Sequence, residues 1–536
     1  MTGPADDGLH TLGRWAADRA RLAPDHVAVV QDGAPTTYAE LDARAEALAR
    51  RLQRAGYRRG DRVATLTRSS VDHAVLFLAC ARTGLVLVPL SWRLAPDELA
   101  HQVRHCRAVL LLAERDLVPQ AQAALPVVDP APALELLGRD GVEQHLPARP
   151  AACPLDEAAL ADVADAGQGR PRRGVQDDDA LLQVYTSGTS RAPKGVVLTH
   201  ANCFWTNLAL NGVAPVGTDD VVLAFLPQFH VGGWNIQTLL AWWTGATVVL
   251  ERDFDAGRAL ELVARHRVTT FMGVPTSYQR MAEHPTFAGA DLTSLRYVVV
   301  GGAPMPEELL RTWHARGVRI LQGYGLSEAG PNVLGLPAAD AEKHVGSVGK
   351  PYPYVDVAVR DPLTGRVLHG AARGELLVRG PAVFREYHRD PEATAAAFVD
   401  GWLRTGDYVE RDVDGFFWVV DRLDDMYISG GENISPAQVE HALAQHPGIA
   451  EAAVVGVPDE RWGQVGHAFV VPVAGTALTV DDVVAHCREH LASFKAPRHV
   501  TFVERLPRTA LHKLRRAALI PTSSPTSSPT SNEEAS

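Results

Sequence analysis

The chain has 536 residues, 46% of them hydrophobic, and a formal net charge of −11. That length suits roughly two to four domains with several cores, and the acidic balance excludes a nucleic-acid backbone as the main partner, which calls for a basic surface. Five scattered cysteines (Cys80, Cys106, Cys153, Cys203 and Cys487) show no C-x-x-C spacing, so neither a disulfide framework nor a zinc site is expected. Each reads as a small buried apolar residue. The acidic start Met1–Asp7 lacks an apolar core, and apolar stretches such as Ala74–Ala81 stop at a charge well short of a membrane span. A cytoplasmic protein with no signal peptide and no membrane span is expected.

The first clear element is helical. Thr37 and Glu40 have the spacing of a capping box, and Leu41, Leu48 and Leu52 continue the apolar face. Gly60-Asp61 turns into a strand at Val63–Leu66. Val71–Ala81 reads as a buried helix and Val86–Leu90 as a strand. Strand and helix patterns alternate to about residue 330, the pattern of α/β units on largely parallel sheets. Residues 140–178, rich in Pro, Ala, Asp and Arg, read as a connecting loop. From about residue 345 short alternating runs and glycines predict a small β-rich subdomain ending near Asp421. Beyond Arg422 the chain reads as a compact α/β unit. Helices are predicted over Pro436–His446 and Val480–Leu491, and strands over Ala450–Val457 and Ala468–Val473. The Ser/Thr/Pro repeat Thr522–Ser531 has no apolar content and is expected to be disordered.

The most informative stretch follows the apolar run Ala180–Val184. It reads Tyr185-Thr186-Ser187-Gly188-Thr189-Ser190-Arg191-Ala192-Pro193-Lys194-Gly195. Hydroxyls, backbone N–H groups and one cation suit a phosphate, and the glycines allow close approach. A nucleoside triphosphate is therefore the expected ligand. A P-loop would read G-x-x-x-x-G-K-[ST] and open a helix. Here Pro193 biases its neighbour away from the α conformation, and Gly195–Leu198 reads as a strand, so a hairpin-like loop is predicted.

Further motifs follow in order. Gly301-Gly302-Ala303-Pro304 comes after the apolar run Tyr297–Val300. Gln322-Gly323-Tyr324-Gly325-Leu326-Ser327-Glu328 joins an aromatic to an acid. Gly374–Gly380, Thr405-Gly406-Asp407, Asp421–Asp425 and Leu506–Lys513 complete the series. Together with the Tyr185–Gly195 loop, this ordered set closely resembles the adenylate-forming enzymes: acyl- and aryl-CoA synthetases, peptide-synthetase adenylation domains and firefly luciferase. The resemblance covers nearly the whole chain except its last ~16 residues.

The resemblance implies a large N-terminal AMP-binding domain over residues 1–421, made of α/β sheets with a small β-rich subdomain. It implies a small mobile C-terminal α/β domain over 422–520, with 521–536 a disordered tail. The implied reaction is attack of a carboxylate on the α-phosphate of ATP, with magnesium, followed by transfer of the acyl group to a thiol. By family position, Thr186, Ser187, Gly188, Thr189, Ser190 and Lys194 would cradle the β- and γ-phosphates. Ser327, where the family often has threonine, would meet the α-phosphate, and Glu328 would hold Mg²⁺. Gly302, Ala303, Pro304, Tyr324 and Gly325 would flank the adenine. Asp407 would accept the ribose hydroxyls with Arg422 nearby. Lys513 would be the catalytic cation, although His512 stands where the family usually has glycine. Asp424 matches the hinge, and Gly430 and Gly431 would let a thiol-bearing arm pass.

Phe229–Asn235 resembles the family's acyl-pocket segment, with His230 near the reacting carboxyl and Gly232, Gly233 and Trp234 along the acyl or CoA path. The small residues suit a hydrophobic acid: fatty, aryl or polycyclic. Arg488, Lys495, Arg498, Arg505 and Arg508 make the C-terminal region locally basic, suited to the phosphates of coenzyme A. An acyl-CoA synthetase is the expected enzyme. A ligase loading a carrier protein in trans and a luciferase-like oxidase are the alternatives, and a homodimer is left open.

Overall fold

The computed structural model describes residues 7–154, 174–186, 193–303, 305–337, 339–423, 425–429, 432–459, 462–491, 495–508 and 514–520. The chain divides into two compact units, Met1–Thr405 with Val409–Val419, and Gly406–Tyr408 with Val420–Ser536. The repeat at Thr522–Ser531 lies outside the described residues.

The first unit is built on two large sheets. One runs Glu386–Tyr387, Lys194–Thr199, Ala180–Thr186, Val86–Leu90, Arg62–Leu66, Ala108–Ala113 and Ala133–Leu136. Its strands from Ala180–Thr186 to Ala133–Leu136 are parallel. Val86–Leu90 and Ala108–Ala113 are buried along their whole length, as strands covered on both faces must be. The other large sheet has a parallel centre, Ile320–Tyr324, Val298–Val300, Thr270–Gly273, Val221–Ala224, Thr247–Leu250 and Val27–Gln31. The β-rich subdomain follows, with Val367–Leu368, Asp356–Arg360 and Ala372–Arg379 in antiparallel order.

The early elements form where the sequence places them. Thr37 accepts from the Glu40 backbone N–H and Glu40 caps the Thr37 N–H, opening the helix Tyr38–Arg54. Ser70 caps the helix Val71–Thr83, and Gly84, at φ +69°, ends it in the left-handed conformation that glycine adopts without strain. That helix is buried almost all round, which explains why its sequence lacks an amphipathic period. The predicted strand at Ala180–Val184 extends to Thr186. Among the described part of 140–178 no helix or strand forms.

The second unit is an antiparallel sheet in the order Glu432–Ile434, Tyr427–Ser429, Gly463–Pro472 and Ile449–Asp459, with His499–Phe502 added in parallel to Gly463–Pro472. Helices Pro436–Ala444 and Val480–His490 contribute Val439, Leu443, Val483 and Cys487 to a core shared with Tyr427 and Val454. The strand Gly463–Pro472 begins five residues before the predicted Ala468, and Ile449–Asp459 exceeds the predicted Ala450–Val457 by one and two residues. Cross-strand pairing carries them past the apolar run that marks each in the sequence. Among the described residues no helix is long and apolar enough to cross a membrane.

Trp313, on the helix Glu307–Ala315, is wholly buried. It meets Phe287 and Tyr278 edge-on at 4.9 and 5.2 Å, and its indole N–H donates to the Tyr278 carbonyl at 3.2 Å. Trp313→Ala is expected to destabilise the first unit by about 3–5 kcal/mol. Urea unfolding followed by hydrogen exchange should show the first unit's transition moving to lower urea while that of the second unit stays in place.

Candidate active site

The predicted hairpin is present. Lys194–Thr199 pairs antiparallel with Ala180–Thr186, placing Lys194 opposite Thr186 and Gly195 opposite Tyr185. Ser187, Gly188, Thr189 and Ser190 lie outside the described residues. Beneath the hairpin a Cβ at Gly195 would sit 2.7 Å from the side-chain nitrogen of the fully buried Gln183, so a side chain there would have to displace that amide. Arg62 donates to Gln183 Oε1 at 3.1 Å and to His388 Nδ1 at 3.2 Å. Burial, reinforced by Arg62, pulls His388 down to about 2, leaving it a neutral acceptor. The Tyr185 hydroxyl reaches the Gln102 carbonyl and His105 Nδ1 at 3.2 and 2.8 Å. The strands that carry the loop are thus fixed by a buried polar network.

Lys194 Nζ lies 4.8 Å from the ring centre of Tyr387, whose hydroxyl donates to Glu328 Oε1 at 2.8 Å. Tyr387 reaches this place because Glu386–Tyr387 pairs antiparallel with the Lys194–Thr199 strand. Glu328 belongs to the single turn Ser327–Ala329, closed by Gly330 at φ +97°. A Cβ at Gly325 would lie 1.3 Å from the Pro331 carbonyl oxygen, so the turn has no room for a side chain there. Asn235 Nδ2 donates to the Gly330 carbonyl at 2.9 Å, and Asn332 Nδ2 donates to the Asn235 carbonyl at 3.1 Å. The acidic turn is thereby tied to the Phe229–Asn235 segment.

Tyr324 ends one parallel strand, and Gly301, Gly302 and Ala303 leave the end of its neighbour, Val298–Val300. Carboxyl ends of adjacent parallel strands are where α/β sheets take ligands. Gly302 and Ala303 are exposed, and Gly302 has φ +80°. Pro304 lies outside the described residues.

His230 is half-buried, its ring 4.6 Å from that of Phe229. Gly232 lines a small cavity of about 10 Å³ with Leu226, Ile236, Gln237 and Met272, no larger than one water needs. Gly233 and Trp234 do not line it. A Cβ at Gly233 would meet the Pro227 carbonyl at 2.4 Å. Trp234 is wholly buried, stacked on Phe77 at 4.7 Å and bonded through its N–H to the Gln228 carbonyl at 2.6 Å. In this structure these two pack the core that supports the segment.

Two residues that sequence reasoning passed over stand out. Tyr387 sits in Glu386-Tyr387-His388-Arg389-Asp390-Pro391, where only its place on the strand beside Lys194 reveals it. Gln237 has φ +69° and is 1% exposed. It donates to Thr270 at 2.7 Å, while its buried Oε1 accepts nothing from a described residue. A non-glycine left-handed residue has no sequence signature.

In the second unit Arg422 Nη1 donates to Asp407 Oδ1 at 3.1 Å. Asp407 is 7% exposed and Arg422 45%. Gly406, at φ +70°, turns the chain beside them and accepts from the Leu423 N–H at 2.7 Å. Asp421 accepts from the Arg422 and Ala437 N–H groups and from Ser435 Oγ. Arg516 joins Glu440 at 2.8 Å and Asp425 at 3.7 Å. Asp424, Gly430, Gly431 and Lys513 lie outside the described residues. On the helix Val480–His490, His486, Glu489 and His490 bring possible ligand atoms within 4.8 Å of one another. His486 Nε2 and His490 Nδ1 already donate to the Ala442 and His486 carbonyls at 2.8 and 2.9 Å.

Residues 16–388 match the family model described as AMP-binding enzyme, and residues 438–513 match the AMP-binding enzyme C-terminal domain. A feruloyl-CoA synthase of Amycolatopsis sp is 40% identical over 504 residues, 94% of this chain and 97% of that protein. An indoleacetate–CoA ligase of Aromatoleum aromaticum is 38% identical over 505 residues, 94% of this chain and 96% of that protein. Among solved structures, the o-succinylbenzoate CoA synthetase of Bacillus subtilis in complex with ATP and magnesium superposes with a TM-score of 0.82. It is 29% identical, covering 94% of this chain and 99% of that one.

Gly325→Ala is expected to push the Pro331 carbonyl aside and displace Glu328. Its ATP affinity should fall roughly tenfold or more, measured by calorimetry, with the circular dichroism spectrum unchanged. A second expectation concerns pH. Burial raises Glu440 to about 6, against a counteracting Arg516 and with Asp421 and Asp425 reinforcing the rise. The folded second unit therefore prefers the protonated acid. This contribution is present below about pH 4.5 and is lost as pH rises through about 6, a change on the order of 1–2 kcal/mol. Glu440→Gln should flatten that slope in denaturation curves of the second unit.

Proposed function

The chain belongs to the AMP-binding enzyme family and is an AMP-forming acid–thiol ligase. From that premise we propose that it joins a hydrophobic, aryl-bearing carboxylic acid to coenzyme A through an acyl-adenylate. The observation that carries the reading is the chain Lys194–Tyr387–Glu328 at the mouth of the loop hairpin. It offers a cation and a carboxylate on neighbouring rigid elements, where the phosphates of ATP need both. The aromatic acid is supported by the acids that two relatives are named for, ferulate and indoleacetate.

In the proposed reaction a carboxylate oxygen of the acid attacks the α-phosphorus of ATP. The bond from that phosphorus to the β-bridging oxygen breaks, and pyrophosphate leaves. No protein nucleophile is required, because the acid is already ionised. Two anions must approach in line, so the protein's task is neutralisation and alignment. Thr186, Ser187, Gly188, Thr189, Ser190 and Lys194 hold the β- and γ-phosphates, and Ser327 meets the α-phosphate. Gly302, Ala303, Pro304, Tyr324 and Gly325 flank the adenine, and Asp407 takes the ribose hydroxyls. His230 and Gly232 face the acyl group. Lys513 stabilises the charge that develops between carboxylate and phosphate. Asp424 is the hinge, and Gly430 and Gly431 leave room for the pantetheine arm.

Glu328 suits magnesium. It is a single half-buried carboxylate whose Oε2 accepts no hydrogen bond from a described residue, and magnesium takes one or two carboxylates with phosphate oxygens and water. Bound there, the ion neutralises phosphate charge. In the second half-reaction the CoA sulfur attacks the acyl carbon, the carbon–oxygen bond to AMP breaks and AMP leaves.

Incubation with ATP, Mg²⁺ and a pool of aryl and alkyl acids, with and without CoA, should yield AMP and an aryl-CoA thioester by mass spectrometry only when CoA is present. Acyl-adenylate that accumulates and never reaches CoA would reassign the acceptor to a carrier protein. Lys513→Ala should slow adenylate formation by roughly 100-fold or more, yet convert supplied acyl-adenylate and CoA to thioester at the wild-type rate.

A further inference from the structure

Lys194 and Glu328 carry opposite charge on neighbouring elements, yet among the described residues Lys194 makes no ion pair. Tyr387 stands between them, with its ring face against the ammonium at 4.8 Å and its hydroxyl on Glu328 Oε1 at 2.8 Å. We propose that Tyr387 is a positioning residue, a neutral spacer that keeps this cation and this carboxylate from neutralising each other before the nucleotide arrives. The proposal rests on the ATP-dependent reading above.

Three restraints hold the spacer. Tyr387 pairs with Val196 across the strands Glu386–Tyr387 and Lys194–Thr199. Side chains two residues apart on a strand share a face, so the side chain of Lys194 rises on the same side as that of Val196. The Phe384 N–H donates to the Glu328 carbonyl at 2.8 Å, tying the segment before Tyr387 to the acidic turn. The ring of Phe384 meets that of Tyr387 edge-on at 4.8 Å. The backbone pairing and the Phe384 bond fix where the Tyr387 side chain starts, and a swing of the ring itself would break its contact with Phe384 and its bond to Glu328.

The chemistry of the spacer differs at its two ends. An aromatic face attracts an ammonium more weakly than a carboxylate at contact would. Lys194 is thus held in place yet readily given up to phosphate. A phenol O–H donates to one oxygen of Glu328 and adds no charge, so it fixes the carboxylate's rotation and leaves Oε2 for a metal. Phenylalanine would keep the first function and lose the second. Leucine would lose both and bring cation and carboxylate within reach of each other.

The test measures binding apart from turnover. ATP affinity is determined by calorimetry in EDTA for wild type, Tyr387→Phe, Tyr387→Leu, Glu328→Gln and the double variant Tyr387→Leu/Glu328→Gln. Tyr387→Leu should weaken metal-free ATP binding roughly tenfold, because Lys194 is then engaged by Glu328. The double variant should regain the affinity of Glu328→Gln, since removing the charge releases the lysine. Tyr387→Phe should bind metal-free ATP within about threefold of wild type while needing several times more Mg²⁺ for half-maximal ATP binding. Wild-type affinity in Tyr387→Leu, or failure of the double variant to recover, would overturn the spacer while leaving the ATP reading intact. Wild-type protein that binds no ATP would sink both.

Discussion

The antiparallel return of Lys194–Thr199 onto Ala180–Thr186 is the constraint on which the rest of the first unit's site depends. Every strand beyond it in that sheet is parallel, and parallel neighbours need a long crossover connection. A hairpin at the sheet's end instead joins its two strands by a short connection. It also creates an edge, and the edge is closed by Glu386–Tyr387. That short strand blunts an exposed ladder and brings Tyr387 beside Lys194. Edge protection and site construction are one event in this fold.

Tight backbone contacts then fix the geometry. Gly195 lies against Gln183, and Gly325 lies against the Pro331 carbonyl. At Gly325 a methyl group would meet backbone, and at Gly195 it would have to displace the Gln183 amide, so both segments are closely packed. Gln183, Arg62, His388, Tyr185 and His105 continue the same logic below the hairpin. Their buried hydrogen bonds would be costly to leave unmade, and this holds the strands in register.

Much of this was legible in the sequence. The capping box at Thr37, the buried helix from Val71 and the hairpin after Ala180 all follow from local rules: a side chain that caps its own helix, an unbroken apolar run, a proline that forbids a helix. The order of motifs carried the family. What stayed hidden is what depends on contacts distant in sequence. Tyr387 lies 59 positions from Glu328, and nothing local distinguishes it from an ordinary strand tyrosine. Trp234 enters the acyl or CoA path only through the resemblance of its segment, and its full burial and its stacking on Phe77 come from contacts distant in sequence. Gln237 occupies a left-handed conformation that the sequence gives no reason to expect.

Burial sorts the chain's carboxylates by how far their partners reach water. Arg149 grips Asp61 through two nitrogens at 2.7 and 2.8 Å, with the side chains 9% and 1% exposed. Removing either partner there would strand a buried charge, so such a pair can only be structural. Asp407 is different. It is nearly buried, but its partner Arg422 is 45% exposed, and a pair with one end in water is worth only about 0–1 kcal/mol. Glu328 is engaged more lightly still, by one neutral hydroxyl. The identity of the acid alone does not separate these carboxylates from Asp61; the burial and geometry of the partner do.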